Sequence, residues 1–202
     1  LQGPNSHKFI KSHIEKDISK FSVHNTDDVM IASTGYTGEL GYEIICDQEK
    51  GIKFWNEFVL NDVQPIGLAA RDTLRLEAGL NLYGTDMDQT NTPYNSNIGW
   101  TIDLNDKDRD FIGKKALEEK KDSKKILKGF YTEERGVLRG GAEVIFNGGS
   151  GVVTSGTWSP TFKKNIGFCR VDKNCGEIGS AVLRDKKITL KFCNTNFLES
   201  LK

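Results

Sequence analysis

Residues 126–192 read ILKGFYTEERGVLRGGAEVIFNGGSGVVTSGTWSPTFKKNIGFCRVDKNCGEIGSAVLRDKKITLKF. Six short apolar runs stand out in this stretch: Ile126–Tyr131, Ala142–Phe146, Gly151–Ser155, Asn165–Val171, Ser180–Arg184 and Ile188–Phe192. Turns containing Gly, Asn and Asp separate them. Side chains two apart on a strand share a face, so runs of this length with regular breaks predict a small antiparallel barrel or sandwich over the last third of the chain.

Upstream the texture is different. Phe9, Ile10, His13 and Ile14 fall on one side of a short helix within residues 5–15, and Phe21–Val23 and Val29–Ala32 read as strands around the polar turn at 25–28. The glycine-punctuated segment Thr34–Gly41 (TGYTGELG) leads into a further strand at Tyr42–Cys46. Residues 49–60 return to helical period through Ile52, Trp55, Phe58 and Val59. Residues 68–78 (LAARDTLRLEA) form a second helix, with Gly79 as its C-cap. Strands alternating with helices suggest an α+β class, with a split βαβ, ferredoxin-like layer preceding the barrel. Residues 82–97 are irregular, Ile98–Leu104 alternates as a strand, and Gly113–Lys121 reads as a charged helix. The run Lys120–Lys125 (KKDSKK) is the expected boundary, giving domains 1–122 and 126–202.

Composition limits the function. The chain has 202 residues, with 28 Lys and Arg against 28 Asp and Glu, so no basic surplus points to nucleic acid. No apolar run approaches the roughly 18 residues that span a bilayer. Cys46, Cys169, Cys175 and Cys193 are scattered without CxxC spacing, and the 3 histidines all precede residue 25. Neither a metal site nor Cys–His nucleophilic chemistry is expected from that pattern, and the thiols read as reduced small hydrophobes. Walker and dinucleotide loops, GxSxG and HExxH are missing. The chain opens on Leu1-Gln2-Gly3-Pro4 with neither Met nor signal peptide, which reads as the end of a strand and a turn, as in a segment of something longer.

The segment Thr34–Glu39 carries the most chemistry. Gly-Tyr-Thr-Gly between two strands allows close backbone approach to a ligand, and it presents an aromatic, Tyr36, and a carboxylate, Glu39. A carboxylate can accept two parallel N–H donors, such as those of a 2-amino-pyrimidinone edge. An ordinary glycine-rich turn is the other reading. Arg71 follows Leu68, Ala69 and Ala70, so it is expected to emerge from a buried surface and to need an anionic partner, either a protein carboxylate or a ligand group. Arg75 reads as structural, paired to Glu77 or a neighbouring loop. Trp100 is expected in a strand, where core packing is the default. Trp158, in a turn-rich loop, suggests a contact surface.

These stretches together resemble the T-protein family of the glycine cleavage system, the tetrahydrofolate-dependent aminomethyltransferases. The matching segments are LQGP (1–4), TGYTGELGYE (34–43), LAARDTLRLEAGLNLYG (68–84) with Asp86-Met87, Thr92-Pro93, and FIGKKAL (111–117). Arg139-Gly140-Gly141, GVVTSGTWSPT (151–161) and Ile166-Gly167 extend the likeness into the last third. The resemblance implies α+β layers, with residues 1–122 a partial folate-binding region, followed by a C-terminal β-barrel. It also implies transfer of the aminomethyl carbon from a lipoyl-bearing H-protein to tetrahydrofolate with release of ammonia. No metal is expected to take part, the composition points to neither nucleic acid nor membrane as a partner, and the expected setting is cytoplasmic, or the mitochondrial matrix in a eukaryote. By position, Glu39 looks like the family's pterin-binding carboxylate, Arg71 like its folate-site arginine and Trp100 like a tryptophan near the folate, while Tyr36 reads from its own loop as a stacking face or a hydroxyl for the same ligand. The family's catalytic aspartate lies upstream of the LQGP stretch, so no catalytic residue is expected within 1–202 and the chain alone is expected to be inactive. Two departures stand out: Leu80 replaces a family aromatic, and residues 194–202 offer no counterpart to a C-terminal arginine. The scaffold is shared with folate-dependent demethylases and the folate domains of dimethylglycine- or sarcosine-oxidising enzymes. It is also shared with folate-binding regulators marked by a KGCYxGQE-like cysteine segment, which this chain lacks at 111–117.

Overall fold

The computed structural model describes residues 1–14 and 16–201. The chain divides into two compact units, Leu1–Arg75 and Leu76–Lys202. The division falls inside a helix, and the lysine-rich run leads into the first barrel strand, which begins at Lys125.

In the first unit, α1 (Ser6–Ile10) tightens into a 3-10 turn at Lys11–His13; Glu15, the end of the expected helix, lies outside the described residues. Strands β1 (Val23–Asn25), β2 (Val29–Ala32) and β3 (Glu43–Cys46) form an antiparallel sheet in the order β1-β2-β3. The register sets Ile31 against Ile44 on one side and His24 on the other. Because successive side chains alternate, that face meets Ile10, Ile14 and Tyr42 in the core, while Val23 and Ile45 are exposed on the opposite face. Consecutive strands pair directly, so these pairings contain no βαβ crossover of the kind the helix–strand alternation suggested. Helix α2 (Gln48–Leu60) starts at Asp47, whose side chain accepts the Lys50 N–H at 2.8 Å, and it packs Phe58 against the sheet core. Its Glu57 meets His13 at 2.8 Å, and Phe54 lies edge-on to the same imidazole.

Helix α3 (Leu68–Glu77) runs across the division and ends at Gly79, whose φ of +81° suits a glycine C-cap. In the second unit, Pro93–Ser96 forms a 3-10 turn stopped by Asn97 in the left-handed region. Gly99–Thr101 forms another 3-10 turn, so the strand expected over Ile98–Leu104 does not form. The Asn97 side chain donates to the Leu127 carbonyl, and the Thr101 N–H closes onto Ile98 O at 3.0 Å, turning the chain where alternation alone would have extended it. Helix α4 (Lys114–Glu119) is shorter than the sequence suggested.

The expected all-β region closes into a barrel of β4 (Lys125–Thr132), β7 (Lys164–Asp172), β6 (Gly149–Ser159), β5 (Glu143–Phe146), β8 (Ile178–Leu183) and β9 (Lys186–Cys193), in that order. Every neighbouring pair is antiparallel. Alternation sends Val144, Phe146, Val153, Ala181, Ile188, Leu190 and Phe192 inward, with Phe130, Cys169 and Val171. Leu76, Leu127, Ile166, Phe168 and Phe197 form a second apolar cluster, with the last residue coming from α5 (Phe197–Ser200). The Phe168 and Phe197 rings stack at 5.9 Å. Strand β7 is therefore covered on both faces, which explains its nearly unbroken apolar run. Trp158 lies within β6, paired with Asn165, and not on a loop.

Candidate functional site

The glycine loop 34–41 is held from the side by Gln2. The Gln2 amide donates to the Thr34 carbonyl at 3.2 Å, and its oxygen accepts the Thr37 hydroxyl at 3.2 Å. Gln2 also bridges to Gly41 through the backbone, and the Gly3 N–H donates to the Leu40 carbonyl at 2.7 Å. A β-carbon at Gly35 would stand 1.9 Å from the Gln2 amide oxygen, and one at Gly41 would stand 2.4 Å from its carboxamide carbon. Those two glycines make room for the glutamine, so the loop is pinned by residues far apart in sequence. Thr34 in turn donates its hydroxyl to Glu43.

On this loop Thr37 is buried and its hydroxyl accepts the Glu39 N–H at 3.3 Å, which fixes the backbone at Glu39. The Glu39 side chain is exposed, and its carboxylate has no hydrogen-bond or ion-pair partner among the described residues. Tyr36, half-buried, takes the Arg71 guanidinium over its ring at 4.7 Å from the centroid. A guanidinium over an aromatic face is attracted by the ring quadrupole and keeps its N–H edge available. The site thus offers a free carboxylate as acceptor and a stacked cation as donor, both within the first unit.

The structure differs from expectation at several of these residues. Arg71 is exposed, and Leu68, Ala69 and Ala70 before it are exposed too, so it does not rise from a buried surface. The fully buried arginine of α3 is Arg75, 2% exposed, whose Nε contacts Asp72 at 2.8 Å. One helical turn brings these i and i+3 side chains together. Trp100 is 84% exposed in its 3-10 turn and belongs to the second unit, so the core role expected for it is replaced by an open indole face.

Residue-level reasoning missed a second polar assembly. Asp86 is 1% exposed, and its Oδ1 accepts both the Thr154 and Ser155 hydroxyls at 2.6 Å while Oδ2 accepts the Leu82 N–H at 2.9 Å. Consecutive strand residues normally point to opposite faces. Here a bulge between Val153 and Ser155 breaks the β6–β7 register and turns both hydroxyls to one carboxylate. The Arg170 guanidinium donates to the Asp86 and Asn95 carbonyls and to the Asn91 side chain, fastening residues 86–95 to the barrel. Burial pushes the Arg170 pKa down, opposed by Asp86 and Asp88. Glu77 is likewise buried, taking Ser159 at 2.5 Å and Thr161 at 2.9 Å. The DMD and TSGTWSPT segments were legible only as family likeness, since no local periodicity marks a carboxylate that closes over a bulge.

Among the described residues, no helix is long and apolar enough to cross a membrane, and no group of three or more His, Cys, Asp or Glu is placed to hold a metal ion.

Residues 1–106 match the family model described as the GCVT N-terminal domain, and residues 125–198 match the glycine cleavage T-protein C-terminal barrel domain. The solved glycine cleavage system aminomethyltransferase T from Bartonella henselae is similar over 100% of this chain, with 31% identity and a TM-score of 0.89. The match covers 60% of that protein, so this chain spans only part of the relative's length. With more than half of its residues in one family model and a close structural counterpart across all of them, the chain belongs to the glycine cleavage T-protein family.

Proposed function

We propose that this chain supplies the pterin-holding side of a tetrahydrofolate-dependent aminomethyltransferase that accepts its one-carbon unit from a lipoyl-bearing H-protein. The observation that carries this reading is the Glu39 carboxylate, unpaired among the described residues on a loop whose backbone is locked, in the same unit as the Arg71–Tyr36 stack. Its two oxygens suit the parallel N–H donors of a 2-amino-pyrimidinone edge, while Arg71 is available to an anionic or carbonyl group of the same ligand. Tetrahydrofolate already carries the nucleophilic nitrogen, so these residues act by binding and orienting it. The same reading assigns residues 1–122 to the folate-binding layer and 126–202 to the barrel.

Selectivity for the pterin edge is the sharpest test. Equilibrium dialysis of tetrahydrofolate and of its 2-desamino analogue against the chain should show the analogue binding at least about tenfold more weakly, the worth of one charge-assisted hydrogen bond. Equal binding of the two compounds would remove the role given to Glu39.

A further inference from the structure

At one end of the barrel lies a cavity of about 600 Å³, built from the segment after β4 and the β8–β9 turn. Val137, Leu183 and the buried Ile188 give it an apolar wall. Around that wall stand Arg135, Arg184 and Lys186, none of which has a hydrogen-bonding side chain or ion pair among the described residues.

The acidic residues lining the same cavity are already engaged. Glu133 meets Lys164 at 3.4 Å, and Glu134 Oε1 accepts the Thr189 N–H at 2.7 Å. Glu133 is paired to a lysine outside the lining, whereas Glu134 spends one oxygen on a neutral amide and keeps its charge, so the three cations outnumber the carboxylates that face them and the cavity stays net positive. A second feature concerns how Arg184 is held. Leu183 pairs with Lys186, so β8 and β9 are joined by the two residues Arg184 and Asp185, both at positive φ, +48° and +65°. Such turns favour Asn-Gly or Gly-Gly, because an L side chain in the left-handed region is strained. Here the turn carries a guanidinium at the cavity mouth.

We propose that this barrel-end cavity binds a small aliphatic dicarboxylate, its carboxylates taken by Arg135, Arg184 and Lys186 and its methylene stem laid on Val137, Leu183 and Ile188. Three cations exceed what one carboxylate would engage, and the apolar wall disfavours a fully hydrated inorganic anion. None of Tyr36, Glu39, Arg71 or Trp100 lines the cavity, so this inference stands apart from the folate reading.

Titration calorimetry on the chain tests it with adipate, dimethyl adipate and inorganic phosphate as probes. Adipate should bind saturably at one site, with phosphate and the uncharged ester each at least about tenfold weaker. Arg184→Gly should lower adipate affinity about tenfold while raising Tm, since glycine relieves the turn; loss of binding with a gain in stability separates the site from folding. Arg135→Gln should weaken adipate similarly. Absence of saturable adipate binding, phosphate binding as tightly as adipate, or wild-type affinity in Arg184→Gly would each overturn the proposal.

Discussion

Replacing Asp86 with alanine should destabilise the barrel unit by about 3–4 kcal/mol. The figure comes from three of the groups that the carboxylate accepts: the Thr154 and Ser155 hydroxyls at 2.6 Å and the Leu82 N–H at 2.9 Å. Each hydrogen bond to a buried charge is worth about 1.5–3 kcal/mol, and a buried donor left unpaired costs about 1–3 kcal/mol. Removing the charge returns part of its own desolvation cost, which keeps the net below the simple sum. Asp86→Asn retains one acceptor oxygen and should cost less, about 1–2 kcal/mol. Adding Thr154→Val to Asp86→Ala should cost less than the two changes separately, because the hydroxyl has already lost its short acceptor and keeps only the Phe168 carbonyl at 3.4 Å. Urea unfolding followed by tryptophan fluorescence gives the totals, and amide exchange in β6 and β7 assigns the loss to this unit. An Asp86→Ala penalty under about 1 kcal/mol, or strict additivity with Thr154→Val, would refute the reasoning.

Two further outcomes follow from packing and ionisation. A β-carbon at Gly156 would lie 2.0 Å from the Leu138 carbonyl oxygen, a backbone atom that cannot swing aside, so Gly156→Ala should cost about 3 kcal/mol or more in chemical unfolding, whereas Gly148→Ala meets no neighbour and is limited to strain from its φ of +87°. Burial raises the thiol pKa values of Cys169 and Cys193, the latter to about 12, so both stay protonated and slow towards iodoacetamide at pH 8 while Cys46 reacts first. The sign for stability follows from the same shifts: the folded thiols are favoured in full below the ordinary value of 9.0, and that contribution drains away as pH climbs from there towards about 12 for Cys193. Unfolding midpoints that rise above pH 9 would contradict it.

The barrel was the more legible half because period-2 alternation and glycine-rich turns are local signals, and the closed order of β4 to β9 adds only which neighbours pair. The helices α2 and α3 were legible for a similar reason, as 3.6-residue periodicity marks their faces. Alternation misled at Ile98–Leu104, where the chain turns beside Asn97, whose side chain reaches the Leu127 carbonyl, a contact that no short window contains. The glycine loop was visible as a loop carrying Tyr36 and Glu39, but its anchor, Gln2, is more than thirty residues away. Likewise Arg71 was expected to rise from a buried surface because Leu68, Ala69 and Ala70 precede it, yet it lies exposed over Tyr36, while Arg75 on the same helix is buried beside Asp72. Burial depends on tertiary packing, and composition around a residue is a poor guide to it.

The central claim is that the Glu39 carboxylate grips the pterin. Titration calorimetry of tetrahydrofolate against the chain and its Glu39→Gln variant addresses it directly, since glutamine keeps the shape and removes the charge and one acceptor. The account expects affinity to fall at least about tenfold with the thermal unfolding curve unchanged. Identical affinities for the two proteins would contradict it.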